Sequence, residues 1–181
     1  MKTINIIIAG EGGQGVQKIG EILAETAFNA GYKTTYIPNF TVQQRGGVSI
    51  AFVIISNEPI IYPKFTKASL AVILSGRSIE QIKNKLTTQT IIINNSSLSR
   101  ATDYKYIECK KINSIKATEL ARDISPKSFN MIMLGKIIKE IKILDINDIK
   151  NEVTKIFKSK YTKLPNLEKE NNKALELGAS I

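Results

Sequence analysis

The sequence predicts an α/β fold: a mostly parallel sheet with helices on both faces and additional C-terminal helices. Through the first half of the chain, apolar runs of strand length alternate with segments of helical periodicity, and the remainder is largely helical. Near the start, "AGEGGQGV" (residues 9–16) places four glycines between an all-apolar run and an amphipathic one. A strand, a glycine loop and a helix in that order form the setting of nucleotide-binding folds. With 181 residues the chain has the size of one compact domain, 1–181.

The elements follow in order. Residues 4–9 are apolar except for Asn5 and suit a strand buried on both faces of a parallel sheet. Val16, Ile19, Leu23, Ala27 and Ala30 recur at helical spacing, and Gly31 stops that helix. Residues 33–38 are β-rich, "NFTVQQRGG" breaks any period, and 48–56 form a second strongly apolar strand. Residues 57–67, with Pro59 and Pro63, read as an irregular crossing loop. Strands are expected at 69–74 and 90–94, a short helix at 78–86, and an edge strand at 104–109. A helix is expected over 114–123, with Ile115, Leu120 and Ala121 inward. From Ser128, "SFNMIMLGKIIKEIKIL" is apolar almost all round, which implies burial in the core or a patch through which the isolated chain dimerises. Asp145, followed by Asp148, starts a helix with the stripe Ile146, Ile149, Val153, Ile156 and Phe157. A last helix runs over 166–177 and ends at Gly178.

Composition removes several function classes. Cys109 is the only cysteine and there is no histidine. A thiolate iron–sulfur cluster, a His/Cys zinc site and a Ser-His-Asp triad are therefore excluded within this polypeptide, and any redox metal lies on a partner. The net charge of +10 is spread along the chain without a block of five like charges, aromatics are sparse and no nucleic-acid reader motif occurs. This reads as a Lys-rich solvated surface with a modest pull on anionic ligands or acidic partners, not as a nucleic-acid interface. No apolar run approaches the ~20 residues that cross a bilayer. The opening "MKTINIIIAGEGG" lacks a small-residue cleavage site and reads as the first strand of a cytoplasmic protein.

Two loops hold the candidate binding residues. Gly10, Gly12 and Gly15 satisfy G-x-G-x-x-G, with Gly13 and Gln14 between them. No carboxylate lies between Glu25 and Glu58 to hold a ribose, which argues against ordinary NAD binding, and no Walker motif is present. A turn that only packs helix to strand remains open, although it leaves Gln14 at the loop apex unexplained. The second loop is "QQRGGVS", with Arg45, Gly46 and Gly47. Only four of the 26 basic residues are Arg, so one followed by two glycines suggests a planar fork for carboxylate or phosphate. A surface Arg in a flexible turn is the other reading. Both loops can face each other across the carboxyl edge of the sheet, where open α/β sheets bind ligands.

In order along almost the whole chain, GEGGQG, the QRGG loop, "NMIMLG" (Asn130 to Gly135) and "NKALELG" (Asn172 to Gly178) resemble the gamma subunit of the 2-oxoacid:ferredoxin (acceptor) oxidoreductases. That family acts on pyruvate, ketoisovalerate or 2-oxoglutarate. Many relatives carry Tyr-Gly-Pro where this chain has Phe40-Thr41-Val42, a departure that bears on the substrate subclass. The resemblance implies a Rossmann-like three-layer α/β/α sandwich within a complex that decarboxylates a 2-oxoacid oxidatively. Thiamine diphosphate with Mg, iron–sulfur clusters and coenzyme A would belong to that complex, on or with alpha, beta and delta partners, and electrons would leave to ferredoxin or flavodoxin. The chain itself would carry no catalytic residue or metal and would be inactive alone. Gly10, Gly12, Gly13, Gln14, Gly15, Arg45, Gly46 and Gly47 would then lie at the coenzyme A side or at a partner contact. The alternative is a self-contained nucleotide-binding or regulatory module.

Overall fold

The computed structural model describes residues 3–40 and 47–181. Six strands form one sheet: β1 (Ile4–Glu11), β2 (Lys33–Phe40), β3 (Val48–Ser56), β4 (Leu70–Ile73), β5 (Ile91–Asn95) and β6 (Lys111–Ile115), in the order β2-β3-β1-β4-β5-β6. The helices are α1 (Val16–Asn29), α2 (Ile79–Ile82), α3 (Ala117–Ala121), α4 (Phe129–Ile141), α5 (Ile146–Lys163) and α6 (Asn166–Ser180).

β1, β4, β5 and β6 run parallel, whereas β3 is antiparallel to both β1 and β2. The reason lies in chain length. Only residues 41–47 separate β2 from β3, too few for a crossover, so the chain returns antiparallel and inserts β3 between β1 and β2. β1 is thus flanked by one parallel and one antiparallel neighbour, not by a wholly parallel sheet.

The strands alternate between two cores. Ile6, Ile8, Val53, Val72 and Ile93 face α1, α3 and α4, with α5 and α6 behind. Ile7, Ile50, Phe52, Ile54 and Ile73 face the thinner side, closed by α2, Phe65 and Ala68. The three layers are therefore unequal. Helix α1 starts on Gly15 (φ 85°) and stops at Gly31 (φ 91°), where Gly31 N–H donates to Phe28 O and Tyr32 N–H to Ala27 O, a Schellman closure. Asp145 caps α5 by accepting from Asn147 N–H at 2.7 Å.

Four expected boundaries shift. Residues 104–109 are not a strand: Tyr104 ends a 3₁₀ turn, Ala101–Tyr104, which the Asp103 carboxylate closes by accepting from Arg100 N–H at 2.7 Å, and a turn and irregular backbone follow. The edge strand is β6, which includes Ile115, so α3 starts only at Ala117. The helix expected at 78–86 is broken, with 3₁₀ turns Gly76–Ser78 and Lys83–Lys85 flanking α2. Finally, α6 continues through Gly178 to Ser180.

That glycine has another task. A Cβ on Gly178 would run into Ile132 O, and one on Gly135 into Leu175 O, so the two glycines let α4 and α6 cross at backbone contact. Met131, Ile132, Met133, Leu134, Ile137 and Ile138 are buried in this chain, so the apolar run of α4 is core and presents no patch for dimerisation.

Gly178→Ala should force the helices apart at a backbone contact and destabilise the chain by roughly 2–3 kcal/mol, read as a lower urea midpoint. Burial raises the Tyr104, Tyr36 and Tyr161 phenols above their ordinary value of 10, with the Glu21 charge adding to the effect on Tyr36. The folded state then holds protons that the unfolded chain releases, so stability should fall as pH climbs through about 10, followed by pH-dependent urea unfolding.

Candidate functional site

The candidate site lies at the carboxyl edge, where β1 and β4 part. The chain leaves β1 through α1 on one face and leaves β4 through α2 on the other. Adjacent parallel strands with opposite exits open a crevice, the usual ligand position in open α/β sheets.

The glycine loop is built by its own contacts. Gln14 Oε1 accepts from Glu11 N–H at 2.8 Å and Gln14 N–H donates to Glu11 O at 3.1 Å. The Gln14 amide oxygen therefore closes the loop on itself. Gly10 is needed for this fold-back: a Cβ there would fall 2.6 Å from Gln14 Oε1 and 2.9 Å from Leu74 Cβ. Gly13 and Gly15 have φ of 89° and 85°, and a Cβ on Gly15 would also meet the Asn130 side-chain amide at the head of α4.

The first predicted loop meets Gly47, the last glycine of the second. Gly12 N–H donates to Gly47 O at 3.0 Å, just beyond the register pair Glu11–Val48. Arg45 and Gly46, the other two predicted residues of that loop, lie outside the described residues. The loop is thus not a bare phosphate cradle, because the Gly12 and Gln14 amides are already used.

Beside it is a polar cleft of about 590 Å³, whose lining includes Glu11, Ser75, Arg77, Ser99, Arg100 and Asp103. Glu11 is its centre, with a side chain only 25% exposed: Oε1 accepts from Ser75 Oγ at 2.6 Å and Oε2 from Arg77 Nη1 at 3.2 Å. Ser99 Oγ donates to Asn94 Oδ1 at 2.7 Å, and Tyr104 OH donates to the same oxygen. Burial keeps the Tyr104 phenol protonated and likewise raises the Cys109 thiol, which makes that cysteine a poor nucleophile.

Sequence reading did not single out Glu11, Ser75, Arg77, Ser99 or Arg100. One signal was available, since the scarcity of Arg applies to Arg77 and Arg100 as much as to Arg45. Chemically, the cleft offers guanidinium and hydroxyl donors suited to a phosphate or carboxylate. Among the described residues no three His, Cys, Asp or Glu side chains gather as a metal site, and no helix is long and apolar enough to cross a membrane.

The glycine loop separates three costs. Gly12→Ala should be near neutral, because its nearest neighbour would be 3.8 Å away. Gly13→Ala, in open space but left-handed, should cost about 1 kcal/mol. Gly15→Ala should cost about 1–2 kcal/mol more, because Asn130 must also move; thermal midpoints rank the three.

Over most of its length the chain is similar to known proteins. The common gamma subunit of the pyruvate/ketoisovalerate oxidoreductases of Pyrococcus furiosus is 28% identical over 160 residues, covering 85% of this chain and 86% of the relative. Ketoisovalerate oxidoreductase subunit VorA of Methanothermobacter thermautotrophicus is 29% identical over 133 residues, 73% of this chain; the match spans only 27% of that longer relative. The fold matches that of the 2-oxoglutarate:ferredoxin oxidoreductase of Magnetococcus marinus, solved with 2-oxoglutarate, coenzyme A and succinyl-CoA. The TM-score is 0.86 at 23% identity, covering 99% of this chain and 31% of that one. Residues 5–181 match the pyruvate ferredoxin/flavodoxin oxidoreductase family, and the chain belongs to it as a domain of the gamma-subunit type.

Proposed function

We propose that this chain serves a thiamine diphosphate-dependent, coenzyme A-acylating 2-oxoacid:ferredoxin oxidoreductase as its gamma subunit, and performs no bond-breaking by itself. Its task is to present the carboxyl edge to coenzyme A or to a partner chain. The supporting observation is the Gly12–Gly47 main-chain bond, which joins the first glycine loop to the start of β3 beside the cleft that holds Arg77 and Arg100. Gly10, Gly13, Gln14 and Gly15 shape one loop, and Gly47 continues the segment that carries Arg45 and Gly46.

The donor set fits this division of labour. One half-buried cysteine and no histidine do not suit an iron–sulfur cluster, so clusters are assigned to partner chains. The family resemblance implies that thiamine diphosphate and Mg lie on alpha, beta or delta partners as well. Coenzyme A supplies a thiol that accepts the acyl group, and its phosphates suit the Arg and Ser donors of the cleft. An incoming phosphate would compete with Glu11 for Arg77. Ferredoxin or flavodoxin would meet the assembly as electron acceptor.

The test is a coenzyme A titration of the assembled complex. Arg45→Ala and Arg77→Ala should each weaken binding about tenfold, the loss expected for one charge-assisted contact. Unchanged affinity in both variants removes this edge from coenzyme A binding. The second reading, a free-standing nucleotide module, is suggested by the G-x-G-x-x-G spacing and opposed by the internal use of the Gly12 and Gln14 amides. An adenine nucleotide at 100 times its Kd would then stabilise the isolated chain by about 2.7 kcal/mol, whereas the subunit reading expects no shift in thermal midpoint.

A further inference from the structure

Residues 57–67 cross the thin face of the sheet, at the amino end of β1, and are tied down at both ends. Ile60 packs into the second core, Thr35 Oγ1 donates to Pro63 O at 3.4 Å, and Phe65 meets Phe52 edge-on at 5.5 Å. Asn5 Nδ2 then donates to Lys67 O at 3.3 Å, and Ala68 N–H to Lys85 O at 2.9 Å. Between these anchors the chain lifts two apolar side chains into solvent. Ile61 is 99% exposed and Tyr62 70% exposed, and they stand between Pro59 and Pro63. A loop held at both ends and stiffened by proline loses little entropy on binding, and an exposed Ile–Tyr pair on such a loop has the form of an interface anchor.

The charge around the pair says what fits it. A depression of about 440 Å³ beside Tyr62 is lined by Lys64, Lys67 and Lys85, with no carboxylate in its wall. Lys64 and Lys67 are exposed, while Lys85 lies half-buried with Nζ 5.7 Å from the Phe52 ring centre. Glu58, on the same segment, is exposed and outside the depression. A second copy would bring like charges together, on a chain already at +10. The complementary surface is acidic at its rim and apolar at its centre.

We infer that Ile61 and Tyr62, rimmed by Lys64, Lys67 and Lys85, form a docking surface for an acidic, apolar-centred face of another subunit of the oxidoreductase. This inference rests on the subunit reading above. The surface lies roughly 20 Å from the glycine loop, across the length of β1 and on the opposite edge of the sheet. A partner can therefore hold the chain there and leave the carboxyl edge free for a ligand.

The test co-expresses the chain with its partner subunits and measures affinity in the assembled complex by native mass spectrometry and sedimentation. Ile61→Ser with Tyr62→Ser should weaken incorporation about tenfold or more. Lys64→Glu with Lys67→Glu should do the same and reduce the salt dependence. Both variants should keep the thermal midpoint of the isolated chain, since none of the four side chains is in the core. Normal incorporation of both variants overturns the inference while leaving the subunit reading intact. Loss with the lysine variant alone also overturns it, in favour of unspecific anion attraction. So does an isolated wild-type dimer that Ile61→Ser dissolves, which would make the surface homomeric. A wild-type chain that joins no partner overturns both readings.

Discussion

β3 runs antiparallel to β1 with Glu11 opposite Val48, and the carboxyl edge depends on that pairing. It brings the end of one strand and the start of another to the same point on the sheet. Gly12 N–H can then reach Gly47 O. Register here is not adjustable. Ala51, Val53 and Ile55 face the helices, while Ile50, Phe52 and Ile54 face the thin side, so a slip of one residue would exchange two differently shaped cores. The position of the edge is set by packing along the whole length of the strand, not by the loop itself.

Behind that edge the helices form a stiff support. The α1 start is fixed by Gly15 against Asn130, and α4 is fixed in turn by its backbone-close crossing with α6 at Gly135 and Gly178. A shift of α6 would thus be felt through α4 at the first turn of α1. The three glycine motifs, far apart in sequence, belong to one chain of contacts that ends at the cleft. Further out, α5 is joined to α1 by Asn29 Nδ2 donating to the buried Glu152 carboxylate at 3.0 Å. Few of these contacts involve the thin face, which is closed by α2 and an irregular segment.

Much of this was legible in the sequence where period and length agree. β3 was readable to the residue, because nine apolar or small residues lie between turn signals, and Gly31 marked the end of α1 by its left-handed backbone. The direction of β3 was not legible from its composition, although the seven-residue connection before it carries the information. "YKYIEC" has strand composition, but the Asp103–Arg100 closure and the Tyr104 bond to Asn94 hold that region in turns, a local polar pattern that β-propensity does not weigh. Gly178 looked like a stop because a glycine near a helix end usually is one; only the packing partner, Ile132 O, reveals the close crossing. The glycine loop was legible as a loop, but the closure by Gln14 was not. Glu11 ends β1, Ser75 and Arg100 come from two separate connections, and the three carry no local pattern, so only the strand order assembles them.

The cleft and the lysine-rimmed loop obey different electrostatics. In the cleft, each cationic segment has an acid beside it: Arg77 is bonded to Glu11, and Asp103 accepts from the backbone of Arg100. Its charge is nearly balanced, so selectivity there rests on short, directional hydrogen bonds that an incoming anion must replace. The chain's excess of ten positive charges is carried elsewhere, including the depression beside Tyr62, where no carboxylate offsets three lysines. Attraction from such a patch reaches about a Debye length, ~8–10 Å at physiological salt, and needs no fixed geometry. A balanced cleft at one edge and an unbalanced patch at the other separate fine recognition from long-range capture within one polypeptide. Their distance along β1 means that filling one does not change the charge felt at the other.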